Sequence, residues 1–116
     1  MVMQEALRIQ LASPFSMIIC TTADVKLGNY NFKKGDNLAI NFQALAHYPA
    51  EWQRPMEMLP ERFDHSNSLS LTPDGKKRSS FSWVPFHGGT RVCFGKTLAE
   101  LNVKILISFM TQKFNF

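Results

Sequence analysis

The strongest periodic pattern lies near the end of the chain. Over residues 96–111, Glu100, Lys104 and Ser108 recur every four residues and, with Thr97 and Thr111, draw one narrow polar stripe along a helix. Leucine, isoleucine, valine, phenylalanine and methionine cover nearly all of the remaining surface. A helix this apolar predicts burial on most sides, and Asn102, away from the stripe, then needs a buried partner. A second helix is predicted from Met1 to Leu11. Val2, Met3, Ala6, Leu7, Ile9 and Leu11 form its apolar side, and Gln4, Glu5 and Arg8 the polar one. Pro14 stops it, because the residue before a proline avoids the helical region.

Between these helices the pattern shortens. Residues 17–42 read as brief strands separated by turns. Met17–Ile19 is an apolar, β-rich run, and Tyr30-Asn31-Phe32 is flanked by Gly28-Asn29 and Gly35-Asp36 turn chemistry. Asn37 to Phe42 alternates as a half-buried strand does, and Ala44–Ala46 reads as a helical turn. Pro49, Pro55 and Pro60 exclude long regular structure from His47 to Phe63. Residues 64–80, rich in Ser, Asn and Gly, read as a loop, and Phe114–Phe116 as a final strand-like stretch. The expected class is α+β: two helices flanking short antiparallel strands and a long meander.

Composition narrows this further. A chain of 116 residues with 45% apolar side chains is one domain at most and is not disordered. Ten phenylalanines are many for so small a core, and the first helix begins without a capping residue. Both features predict a piece of something larger. The net charge of +4 includes one basic run, Lys76-Lys77-Arg78, with no interleaved aromatic pattern. It reads as a solvated loop rather than a nucleic-acid surface, so no nucleic-acid partner is expected. Two distant cysteines make no disulfide framework, which suggests reduced thiols and an intracellular setting. No apolar run is long enough to span a bilayer, and no signal peptide is visible.

The segment Phe86-His87-Gly88-Gly89-Thr90-Arg91-Val92-Cys93-Phe94-Gly95 carries the chemistry. Glycines around a single cysteine allow a tight turn that presents the sulfur just before the last helix. The helix N-terminus and Arg91 both favour negative charge there, the form in which sulfur binds metal. A lone cysteine is more often an inert apolar residue. Zinc would need further close Cys or His ligands, and only His87 is near. His47, His65 and His87 are possible bases for a nucleophilic cysteine, but their spacing matches no protease or amidase pattern.

Phe86, Gly89, Arg91, Cys93 and Gly95 match F-x-x-G-x-R-x-C-x-G, and the segment resembles the haem-binding loop of the cytochrome P-450 family. Glu5-Ala6-Leu7-Arg8 resembles the family's E-x-x-R motif, and Pro60-Glu61-Arg62-Phe63 its P-E-R-F segment, in family order. The resemblance covers nearly the whole chain. It implies haem b (iron protoporphyrin IX) with Cys93 as the proximal thiolate, which favours O–O cleavage. It implies Arg91 at a haem propionate, Phe86 packed beside the sulfur, and Gly89 and Gly95 shaping the turn. Glu5, Arg8 and Arg62 would form a buried structural network. Ile19, Ala46, Tyr48 and Asn102 depart from residues common in the family, leaving propionate binding and local packing open.

The family is mainly α in its complete form, and its long central helix has no counterpart in this sequence. Residues 1–116 are therefore expected to be the C-terminal haem-binding part of one incomplete domain. The complete enzyme would be a monooxygenase acting on a small lipophilic substrate, served by an NADPH-dependent reductase or a ferredoxin. An anchor outside this chain could hold it at the endoplasmic reticulum membrane. A haem-thiolate isomerase or dehydratase, or a non-catalytic remnant, are the alternative expectations.

Overall fold

The computed structural model describes residues 1–115. Helix α1 spans Val2–Ile9 and is followed by strands β1 (Ile19–Cys20), β2 (Val25–Leu27), β3 (Tyr30–Phe32) and β4 (Asn37–Leu38). Helix α2 covers Phe42–Ala46, and helix α3 covers Lys96–Lys113. The meander between them contains only short 3-10 turns, at Pro60–Phe63, Ser68–Ser70 and Gly89–Arg91. The class is α+β, as expected, with three helices in place of two.

The strands form two antiparallel ribbons, β1 with β4 and β2 with β3. Gly28, at φ +57, closes the β2–β3 hairpin, a conformation open to glycine without strain. The expected strand from Asn37 to Phe42 stops at Leu38. Asn41 accepts the Ala44 N–H on its side-chain oxygen at 2.9 Å and so starts α2 at Phe42, two residues before the expected turn. Helix α1 ends at Ile9 rather than Leu11 because of Gln43. Its amide donates to the carbonyls of Arg8 (3.3 Å) and Ile9 (3.0 Å) and accepts the Leu11 N–H at 3.2 Å. Those groups would otherwise be the unpaired end of a longer helix. Phe114, after α3, is extended; Phe116, the last residue of the expected strand-like stretch, lies outside the described residues.

Of the burial expectations, that for α3 is overturned, while α1 buries the charged residues expected of the network. Helix α1 turns its polar face inward: Glu5 and Arg8 are fully buried, while Val2 is exposed. The polar side is the inner one because its charges are all paired there, as described below. Helix α3 is not buried; most of its apolar side chains, and Asn102, are exposed, so Asn102 needs no buried partner. No described element packs closely against it. The apolar faces of α1 and α3 instead line a cavity of about 500 Å³, with Val2, Leu7, Phe86, Val103 and Ile107 in its wall. The radius of gyration, 17.1 Å, exceeds the roughly 13–14 Å of a compact domain this long.

The apolar core is small: Leu11, Phe42 and Ala46, with Leu45 and Val84 packed against them. Phe42 sits at its centre and also touches the His87 ring, 4.7 Å between centroids. Phe42→Ala should lower stability by about 3–5 kcal/mol in thermal or denaturant unfolding. Tyr30→Ala, on an exposed ribbon face, should leave the midpoint unchanged.

Candidate functional site

A buried cluster of charge joins α1 to the meander. Glu5 and Arg8 are one helical turn apart on α1, and Arg62 sits in the 3-10 turn whose φ is preset by Pro60. Arg8 grips Glu5 with two parallel bonds, Nε to Oε2 and Nη2 to Oε1, each 2.8 Å. The same Oε1 accepts Arg62 Nε at 2.9 Å and the Leu59 N–H at 3.0 Å. All three side chains are fully buried. One carboxylate cannot balance two guanidinium groups, so main-chain carbonyls complete the shell. Arg8 donates to Ala46 (2.9 Å), Pro55 (2.7 Å) and Glu57 (3.2 Å). Arg62 donates to Gln53, Arg54 (2.6 Å) and Glu57 (3.3 Å). A meander without regular structure is thereby fixed by its carbonyls.

Arg78 corrects the sequence reading of a solvated basic run. Its guanidinium is partly buried, donates to the carbonyls of Leu69 (2.7 Å) and Arg62 (2.8 Å), and lies 4.3 Å from the Trp52 ring centre. Arg8 lies 5.0 Å from the same ring. The buried indole of Trp52 is thus flanked by two cations, a favourable contact for each. Burial, and then the neighbouring Arg62 charge, pull Arg78 below the ordinary guanidinium value. Residues 64–80 are also more ordered than a plain loop: Leu71 and Lys77 bridge around Gly75, at φ +74. Local composition carries no sign of the Arg78 placement, whose partners Arg62 and Trp52 lie well back along the chain, whereas the Leu71–Lys77 bridge closes locally around the Asp74-Gly75 turn.

The loop from Phe86 to Gly95 is shaped by two residues in the left-handed region, His87 (φ 62) and Gly89 (φ 67). Glycine adopts that region freely; histidine does so at some cost and is held by its ring contact with Phe42. The sequence reading missed His87. Gly95, by contrast, has an ordinary φ of −81°, and its distinction is nearness: a Cβ there would lie 3.8 Å from Cys93 Sγ. The Cys93 N–H donates to the Phe86 carbonyl at 2.9 Å, closing the loop, and the Lys96 N–H reaches the Cys93 carbonyl at 3.3 Å as α3 begins. Phe86, Gly89, Arg91, Cys93 and Gly95 are therefore gathered in one loop, and Glu5, Arg8 and Arg62 in a separate buried cluster. Cys93 and Arg91 are both exposed, beside exposed Val92, Phe94 and Leu98. Among the described residues, no three His, Cys, Asp or Glu side chains come together as a metal cluster.

Comparison with known proteins places this geometry in a family. The cytochrome P-450 family profile matches residues 1–116. Steroid 17-alpha-hydroxylase/17,20 lyase of Squalus acanthias is 38% identical over 112 residues, covering 95% of this chain and 21% of the relative. The same enzyme of Ictalurus punctatus is 34% identical over 113 residues, covering 96% and 21%. Among solved structures, retinoic acid-bound cyanobacterial CYP120A1 aligns with a TM-score of 0.83 and 28% identity, over 96% of this chain and 24% of that one. A zebra fish cytochrome P-450 with abiraterone aligns with a TM-score of 0.76 and 29% identity, over 97% and 24%. The chain belongs to the cytochrome P-450 family, whose cofactor is haem b. It spans about a fifth of the length of these curated relatives.

The buried cluster gives the fold an acid limit. Burial pushes the Glu5 pKa up, but bonds from Arg8, the Leu59 N–H and Arg62 outweigh it, so the net shift is below the ordinary 4.5. Glu5 thus contributes stability that is fully present above about pH 4.5 and is lost as pH falls through its lower folded value. His47 is held below its ordinary 6.5 by burial and the Arg8 charge, so the unfolded chain takes up its proton first. The unfolding midpoint should fall in two steps on acidification, one starting near pH 6.5 and one below pH 4.5. His47→Gln should remove only the first, measured by thermal melts across pH.

Proposed function

We propose that Cys93 is the thiolate ligand of haem iron, and that the complete protein is a haem-thiolate monooxygenase. It would insert one atom of O2 into a small lipophilic substrate and release the other as water. The observation that carries this reading is an exposed sulfur at the mouth of a closed loop, in a chain whose family uses haem b.

The donor set suits the group. Haem would need a ligand for its iron, apolar side chains to pack against it and a cation to pair with its carboxylates. Cys93 offers the first, Val92, Phe94 and Leu98 the second, and Arg91 the third. Haem supplies the oxygen-activating chemistry when bound. The chain's own contribution is position. The Phe86 carbonyl holds the Cys93 N–H, Gly89 permits the turn, and Gly95 leads from the sulfur into α3. The network of Glu5, Arg8 and Arg62 keeps the underlying meander fixed.

Electrons would come from an NADPH-dependent reductase or a ferredoxin. Steroids, the substrates named for the relatives above, are one class of lipophile such a site would take. No described helix is long and apolar enough to cross a membrane, and we assign attachment to the endoplasmic reticulum to an anchor outside this chain. Residues 1–116 would then be the haem-binding part of a single larger domain.

Ligation is tested by the absorption spectrum of the reduced protein under carbon monoxide. The Soret band should be shifted strongly to the red, unchanged in Cys20→Ala and lost in Cys93→Ala. A band at the position typical of histidine ligation would reject the assignment.

A further inference from the structure

The segment from Lys76 to Ser82 separates into residues with structural partners and residues without them. Arg78 is turned inward against Trp52. Ser79 is engaged on all sides: its N–H donates to Glu51 Oε2 at 2.7 Å, its hydroxyl accepts from the Phe81 N–H at 3.2 Å, and its carbonyl accepts from Ser82. Ser82 is buried. Between them Ser80 stands at the start of a turn, exposed, and its hydroxyl has no hydrogen-bond partner among the described residues. Lys76 and Lys77 project into solvent before it, and Phe81 follows it with 74% of its surface exposed.

We propose that Ser80 is a phosphorylation site for a serine/threonine protein kinase with an acidic substrate groove. Three features favour it over its neighbours. Its hydroxyl is the free one of the three serines. The two exposed ammonium groups on its N-terminal side fit carboxylates in such a groove. The bare Phe81 ring directly after it suits an apolar pocket. Arg78 takes no part in recognition, since carbonyls and the indole hold it. In the transfer, Ser80 Oγ attacks the γ-phosphorus of ATP and its proton passes to the kinase's base. The new O–P bond forms as the bond to the β–γ bridging oxygen breaks, and ADP leaves. The phosphate brings a charge of about −1.5 to −2 next to the Ser79–Glu51 contact, which like-charge repulsion then weakens. None of this depends on the haem chemistry proposed above.

The test is incubation of the folded protein with the catalytic subunit of a basophilic kinase and ATP, followed by peptide mapping in a mass spectrometer. One phosphate is expected on Ser80, absent in Ser80→Ala. Lys77→Gln, which alters only an exposed side chain, should slow modification about tenfold or more, the loss of one charge-assisted contact. Circular dichroism should report the same fold for both variants. Phosphate on Ser79 or Ser82, modification of heat-unfolded protein alone, or an unchanged rate in Lys77→Gln would each overturn the proposal.

Discussion

The carboxylate of Glu5, shared between Arg8 and Arg62, is the interaction on which the rest of the chain depends. Buried ions are costly to desolvate, and a buried pair holds only when its remaining donors and acceptors are satisfied. Here they are satisfied by the end of α2 at Ala46 and by the backbone of residues 53–59, which has no helix or strand of its own to fix it. The apolar core of Leu11, Phe42 and Ala46 is too small to order so long a meander. Charge does what a larger core does elsewhere, and Trp52, set between Arg8 and Arg78, joins the ionic centre to the apolar one.

From this centre two routes lead to the cysteine loop. One is covalent: the Arg62 carbonyl receives Arg78, and the chain runs on through the Ser79–Ser82 turn to Val84 and Phe86. The other is contact: α2 presents Phe42 to the His87 ring at the loop's entrance. The strained backbone of His87 is thus supported by the same core that Arg8 reaches through the Ala46 carbonyl. A loop fixed at its base by both routes presents Cys93 at a defined surface even though α3, which follows it, is largely exposed.

Much of this was legible in the sequence. Both long helices, the turn-rich ribbons and the cysteine loop follow from spacing and glycine chemistry. Periodicity alone does not give the orientation of α1, because Arg62 is 57 residues from Glu5 and leaves no periodic trace; the likeness of Glu5, Arg8 and Arg62 to family motifs implied their buried network. Arg78 was hidden for the same reason: Lys76 and Lys77 beside it are solvated, and only tertiary carbonyls separate it from them. Helix α3 reads as buried because its sequence is apolar nearly all round, yet nothing described packs on it; pattern reports what a surface would suit, not what covers it.

The claim that Glu5 organises the meander is tested most directly by hydrogen exchange at the Leu59 amide. That N–H lies outside any helix or strand and has the Glu5 carboxylate as its acceptor. An amide in an ordinary irregular segment exchanges through small local openings. If the network is the centre of the fold, Leu59 exchanges only on global unfolding, at the rate of the slowest amides in the protein. Exchange at the rate of a fraying loop, with the helical amides still protected, would contradict the account.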